Sequence, residues 1–320
     1  MSSFRLTRTL PVDATGADLR ADVRQGLGHN PKSLPPKWFY DARGSELFEE
    51  ITRLPEYYPT RAEREILHDR AGEIAAACGA RTLVELGSGS SEKTRILLDA
   101  LPGLHSYLPV DVSESALTLA AGALLAERPS LSVHALIADF TRGLALPDTP
   151  GPRLVAFLGG TLGNLLPGER NVFLKSVRSL LRADDCLLLG TDLVKDEATL
   201  VAAYDDAAGV TATFNKNVLN VLNRELDADF DPDDFAHVAR WDREHEWIEM
   251  RLRARSALTV KVRELDLAVT FEKDEELRTE VSAKFREQGV REELGAAGME
   301  LSHWWTDRAG RFALSLSIMA

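Results

Sequence analysis

Between residues 60 and 193, short apolar runs alternate with stretches of helical spacing. "RTLVELG" (81–87), "SYLPVDV" (106–112), "LSVHALIADF" (131–140), "RLVAFLGG" (153–160) and "DCLLLGTDLV" (185–194) read as buried strands. Residues 91–101, Ser113 to Glu127 and Pro167 to Leu181 carry apolar side chains at helical intervals between them. Strands alternating with helices of this length predict βαβ units and a parallel sheet covered on both faces.

Beyond residue 195 the period changes. Residues 197–226 read as helix, interrupted around Gly209 to Thr213. Three runs of period two follow: Ile248, Met250, Leu252 and Ala254; Leu265, Leu267, Val269 and Phe271; and Leu277, Thr279, Val281, Ala283 and Phe285. Each predicts an antiparallel strand with one buried face. The charged run 272–277 fits a turn between the last two. The block is expected to be a second lobe inserted into the α/β domain. A helix-like 291–298 then leads to two strand-like segments, 299–307 and 311–319, joined by "RAG". These predict an antiparallel hairpin at the sheet edge.

Length and composition narrow the function. A chain of 320 residues suggests two domains at roughly 150 residues each. Hydrophobic residues at 44% and charged residues at 28% describe an ordinary globular protein. A net charge of -12 offers no attractive field to a phosphate backbone, so nucleic acid is not expected as a partner. Cys78 and Cys186 sit in apolar contexts without metal-ligand spacing, which predicts two buried thiols in a reducing compartment and no metal site. The first twenty residues lack the apolar run of a signal peptide. No segment reaches the roughly 20 apolar residues of a membrane span. A cytoplasmic location follows as the expectation, with no membrane and no obligate protein partner.

In "ELGSG", Gly87 and Gly89 stand where a strand must turn sharply into a helix, with a ligand against bare backbone. Ser90 or Ser91 suits the helix cap. A dinucleotide loop wants a small residue three positions after Gly89, and that position holds Glu92. A carboxylate there faces a pyrophosphate badly. S-adenosylmethionine (SAM) has no phosphate, and its sulfonium and amino groups tolerate nearby acids. Asp111 ends the second strand about 20 residues on, where an acid commonly accepts from ribose hydroxyls. Asp139, with Phe140 beside it, ends the third, a place that suits an adenine amino group. Each feature alone reads equally as a tight turn or a cap. Together, at three successive strand ends, they favour SAM over NAD, and the loop lacks the Walker pattern.

Residues 31–63 set Trp38, Phe39, Tyr40, Tyr57 and Tyr58 among prolines at 31, 35, 36, 55 and 59. Trp38 and Phe39 are expected in the core. The tyrosines carry hydroxyls that need partners when buried, which makes them site candidates. In "LGGTLGNL" (158–165), Asn164 either caps a glycine-rich turn or offers its amide to a substrate. Glu280 and Ser282 point one way, opposite Val281, Ala283 and Phe285. They form either a solvated face or a carboxylate and hydroxyl that grip a small polar ring, and spacing leaves both open.

The strings "KSLPPKWFYDARGSELFEEITRLPEYYPTRAE", "LVELGSGSSEKT", "GTLGNL", "GTDLVKD", "AYDDAAGVTATFNKNVL" and "TEVSAKF" closely resemble the histidine-specific SAM-dependent methyltransferase family, over nearly the whole chain. The resemblance implies a Rossmann-like class I SAM-methyltransferase sheet with a C-terminal antiparallel hairpin, in residues 60–193 and 286–320. It implies an inserted α+β substrate lobe, in residues 8–59 and 194–285. The cofactor positions fall on Gly87, Lys93, Asp111, Asp139 and Phe140. Tyr57 and Tyr204 would hold a histidine carboxylate, Asn164 the amino end, and Glu280 with Ser282 the imidazole. Gly159, Tyr40 and Met250 would complete the pocket wall. Tyr40 and Asn164 are the catalytic candidates, with Tyr40 or solvent taking the proton. The implied activity is trimethylation of the L-histidine α-amine by three SAM molecules, giving hercynine and S-adenosyl-L-homocysteine, the first step of ergothioneine biosynthesis. Methylation of another aromatic amino acid such as tryptophan is the alternative. A non-catalytic SAM-binding module and a dehydrogenase are the more distant ones.

Overall fold

The computed structural model describes residues 3–11, 14–89 and 93–320. The cap expected at Ser90 or Ser91 and the carboxylate of Glu92 lie outside the described residues. In chain order the elements are β1 (Ser3–Arg8), α1 (Ala14–Leu27), β2 (Lys32–Ser33), α2 (Ala42–Ile51), α3 (Pro59–Cys78), β3 (Thr82–Leu86), α4 (Thr94–Ala100) and β4 (Ser106–Asp111). Next come α5 (Glu114–Glu127), β5 (Ser132–Ile137), β6 (Arg153–Phe157), α6 (Pro167–Leu180), β7 (Cys186–Asp192), α7 (Glu197–Tyr204) and α8 (Val210–Leu226). The chain closes with β8 (Phe235–Asp242), β9 (Trp247–Ala254), β10 (Leu258–Val262), β11 (Leu267–Phe271), β12 (Glu276–Ala283), α9 (Glu287–Ala296), β13 (Met299–Thr306) and β14 (Phe312–Met319).

These elements divide into two compact units. Met1–Pro11, Pro59–Val194 and Phe285–Ala320 form the first; Val12–Tyr58 and Lys195–Lys284 form the second. The first unit holds an eight-stranded sheet in the order β1-β5-β4-β3-β6-β7-β14-β13. Its strands run parallel from β1 to β7, while β14 and β13 are antiparallel. Every residue of β3, β6 and β7 is buried, as continuous apolar runs between two helical layers require. Strand order reverses at β3, which pairs with both β4 and β6. In open α/β sheets the ligand crevice lies beyond the strand ends at such a reversal. The loops after β3 and β6 flank it.

The edge strand β1 departs from the expected division, which put residues 8–11 in the substrate lobe. It pairs with β5 from Ser3↔Ser132 to Arg8↔Ile137, so this segment belongs to the first unit. Its signal in the sequence is thin, because only Leu6 and Leu10 pack against the Leu117, Ala135 and Ile137 cluster.

The second unit contains a four-stranded sheet, β2-β12-β9-β8, and the separate pair β10-β11. Helix α8 packs on the first of these, with Phe214, Leu219 and Leu222 joining Phe235, Ile248, Leu252 and Phe271 in one core. Three corrections to the period-two reading follow. Leu265 lies in a 3-10 turn rather than in β11, which pairs with β10 and not with β9 or β12. Phe285 lies past the end of β12 and bridges to Leu193 in the first unit. Strict alternation along β12 fails at a bulge: Arg278 pairs with Arg251 and Glu280 with Met250, and Thr279 is the extra residue.

Candidate active site

In the first unit, β3 ends in a turn where Gly87 and Gly89 have φ of +68° and +48°, the left-handed region that L side chains avoid. A Cβ at Gly87 would lie 3.6 Å from the Phe140 ring, and one at Gly89 would meet nothing within 4 Å. Phe140 therefore borders the glycine turn, held by Phe157 at 5.3 Å and Phe173 at 6.0 Å between ring centroids. Asp111 accepts from the Gly89 N–H at 3.2 Å and from the Ser113 N–H at 2.9 Å. Asp139 accepts from the backbone and hydroxyl of Thr141 at 2.9 and 2.6 Å. Both acids thus act as turn formers as well as cofactor candidates. Beside the turn, the buried Ser88 hydroxyl has no hydrogen-bond partner among the described residues. Bare backbone, an aromatic face, two strand-end carboxylates and an orphaned hydroxyl fit the adenosyl group of SAM.

Lys93 is differently engaged from what a cofactor contact alone would require. Its ammonium forms an ion pair with Glu63 on α3, a carboxylate with no exposed surface. The other oxygen of Glu63 accepts from the Gly159 N–H at 2.7 Å. One buried acid thus ties the start of α4 to the end of β6. Gly159 and Gly160 turn the chain with φ of +80° and +70°, and the short turn Thr161–Asn164 presents the half-buried Asn164. Beneath the glycine turn, Glu85 on β3 accepts from Thr94 Oγ1 and Tyr107 Oη, both at 2.5 Å, through Oε2. Burial pushes its carboxyl up to about 7, against the lowering effect of these two hydrogen bonds.

In the second unit an aromatic wall runs through Tyr40, Phe48, Tyr57 and Tyr204, with successive centroids 5.6, 6.1 and, from Tyr57 to Tyr204, 6.4 Å apart. The Tyr204 hydroxyl lies 2.7 Å from Ser282 Oγ. The buried Lys284 donates to both oxygens, at 2.9 and 2.8 Å, and its ammonium lies 4.7 Å from the Tyr204 ring centroid. Glu280 stands opposite the buried Met250 across the β9–β12 ladder. Tyr40 is half exposed as a residue, yet desolvation around its hydroxyl raises the phenol well above its ordinary value, with Glu280 and Tyr204 adding to the rise. It therefore stays protonated at neutral pH. Tyr58, also a candidate, is buried, and Lys195 donates to its hydroxyl at 2.6 Å.

The structure thus gathers Gly87, Asp111 and Phe140, and separately Lys93 with Gly159, in the first unit. It gathers Tyr40, Tyr57, Tyr204, Met250, Glu280 and Ser282 in the second. Sequence reasoning missed Glu63, Glu85 and Lys284. Glu85 had a signal, an acid inside an otherwise apolar strand. So did Glu63, which shares a helix face with Ile66 and Leu67, both buried.

The model of the family of histidine-specific, SAM-dependent methyltransferases matches residues 19–319. The chain belongs to this family. Histidine N-alpha-methyltransferase of Mycolicibacterium smegmatis is 56% identical over 319 residues, 99% of each chain. The protein of that name from Mycobacterium tuberculosis is 57% identical over 311 residues, 96% of this chain and 97% of its own. Among solved structures, the PH0226 protein from Pyrococcus horikoshii resembles the fold with a TM-score of 0.50 at 15% identity, covering 88% of this chain and 100% of that one. Family membership makes this chain a SAM-dependent methyltransferase. Among the described residues, no helix is long and apolar enough to cross a membrane.

Proposed function

We infer that this enzyme methylates the α-amine of L-histidine and carries it through three transfers to the trimethylated product, hercynine, as in ergothioneine biosynthesis. The observation that carries the reading is the placement of Glu280: a carboxylate opposite Met250 on β12, two residues from Ser282 of the Ser282–Tyr204–Lys284 cluster. A carboxylate accepting an imidazole N–H makes a charge-assisted bond, stronger than a neutral one. An amino acid without such a donor leaves that carboxylate unpaired, which is how polar sites reject near-isosteres. Lys284, with Tyr204 and Tyr57, suits the amino-acid carboxylate. Asn164 suits the amino end.

When bound, SAM supplies a methyl group on an electron-poor sulfonium. The residues bind the nucleoside through Asp111, Asp139 and Phe140, and hold the amino acid so that a neutral amine lone pair is presented. Positioning of this kind supplies much of the acceleration in a displacement that needs no covalent intermediate. Burial keeps Tyr40 protonated at neutral pH, so it can offer a hydrogen bond in the pocket wall. The same reading places the enzyme in the cytoplasm and lets it work without a protein partner; the free, buried thiols of Cys78 and Cys186 suit a reducing compartment.

A mass-spectrometric time course with SAM and L-histidine tests the reading. Mono-, di- and trimethylated histidine should appear in turn, and turnover of tryptophan in preference to histidine would sink it. Glu280→Ala should cut the preference for histidine over other amino acids, and unchanged preference would remove the imidazole role.

A further inference from the structure

The bulge in β12 decides where Glu280 points. Along β9, Leu252 and Met250 face one side of the sheet, and Arg251 and Glu249 the other. Directly paired residues share a side. Leu277 pairs with Leu252 and Arg278 with Arg251; then Thr279 is skipped, and Glu280 pairs with Met250 and Val281 with Glu249. In an unbroken ladder residue 279 would face Met250, and Glu280 would face Glu249. Glu249 is already held by Arg240, Arg251 and Arg278. One extra residue therefore moves Glu280 from the arginine side to the Met250 side.

The bulge is tethered by side chains that touch no proposed ligand. Thr279, 1% exposed, donates to Asn215 Oδ1 at 2.6 Å and lies 3.0 Å from the Met250 carbonyl oxygen. Asn215, with no exposed surface, commits both N–H groups of its amide, one to His237 Nδ1 at 2.8 Å and one to the Arg251 carbonyl at 3.1 Å. Because Nδ1 accepts, the ring proton sits on Nε2 and is donated to the Tyr204 carbonyl at 2.8 Å. Burial lowers the pKa of His237 and keeps this ring neutral. Three side chains, from β12, α8 and β8, thus lock the bulge and the end of α7 into one register.

We propose that Thr279, Asn215 and His237 are positioning residues that hold Glu280 on the Met250 side of the sheet and so set selectivity for an imidazole-bearing substrate; this rests on the histidine reading above. The hydroxyl is the key group. With valine at 279 the Asn215 carbonyl is buried without a donor, and the bulge loses its tether to α8.

The test uses the intact enzyme with Thr279→Val, Thr279→Ser, Glu280→Ala and the double variant T279V/E280A. Steady-state kinetics are read with L-histidine and with L-phenylalanine as the alternative amine, alongside SAM affinity by calorimetry. T279V should raise KM for histidine about tenfold or more, the scale of a slightly misplaced binding group. It should narrow the preference for histidine by a similar factor and leave SAM affinity unchanged. T279S should stay within about threefold of wild type, since it keeps the donor. On the E280A background, T279V should change KM by less than about twofold, because contacts acting through one group are not additive. Should T279V fail to fold, Thr279→Cys, with its weak donor, is read by the same criteria. An equal effect of T279V on both backgrounds, or a lower melting temperature with KM and preference intact, would make the network merely structural. A wild-type enzyme inactive on histidine would overturn the substrate reading and this proposal with it.

Discussion

Replacing Glu85 with glutamine should make the protein more stable at alkaline pH. The carboxyl lies 4% exposed beneath the glycine turn and titrates at about 7 rather than near the ordinary 4.5. Each tenfold change in acidity is about 1.4 kcal/mol. The folded state therefore loses about 3 kcal/mol, relative to the unfolded chain, as pH rises from below 4.5 to above 7. The sign follows from proton counting: within that window the folded state binds the proton and the unfolded state has released it, so stability falls with rising pH. A glutamine has no proton to lose. With its carbonyl in place of Oε2 it keeps the bonds from Thr94 and Tyr107. Urea unfolding of both proteins from pH 4.5 to 8.5 should show the variant gaining on wild type by about 3 kcal/mol across the window. A difference that stays flat, or that grows toward acid, would refute the reasoning.

Three further outcomes follow from the same unit-by-unit geometry. Glu63→Gln should lower unfolding stability by about 2 kcal/mol, less than a fully buried pair would lose because Lys93 is 23% exposed, and should weaken SAM binding; both are read by calorimetry. Gly190→Ala should destabilise by about 1–3 kcal/mol, since its Cβ would come within 2.3 Å of Glu63 Oε1, and thermal unfolding checks it. For His237, whose folded-state pKa is lowered, the sign is reversed relative to Glu85: its contribution is full above the unfolded value of about 6.5 and is lost as pH falls toward the folded value. His237→Gln should flatten that acid-side loss in denaturant titrations.

The parallel sheet was legible because β3, β6 and β7 are buried along their whole length and so leave near-continuous apolar runs, broken in β3 by Glu85. Strand β1 was not, since an exposed edge strand needs few apolar residues and Phe4 itself is 44% exposed. The shared direction of Glu280 and Ser282 was readable, and so was their opposition to Val281. The side taken by Leu277 was not. Threonine is acceptable on either side of a strand, so a bulge at Thr279 leaves the period-two pattern looking intact. Lys284 was hidden for a different reason: a lysine signals solvent, and polar partners such as the Tyr204 and Ser282 oxygens make its burial tolerable.

The position of β14 has a consequence for how the chain reaches its fold. The last strand in sequence lies inside the sheet, between β7 and β13. Until it arrives, β7 presents an open hydrogen-bonding edge on a strand whose seven residues are all destined for burial. Its Leu187, Leu188 and Leu189 are a template for any passing extended segment. Residues 195–284 must meanwhile be accommodated between the two partners, so the pairing closes a very long loop and is slow to form. The enzyme is then most prone to aggregate late in folding, at this buried strand. Substitutions that loosen the β7–β14 ladder should show first as lost soluble yield, before any change in the chemistry of the enzyme that does fold.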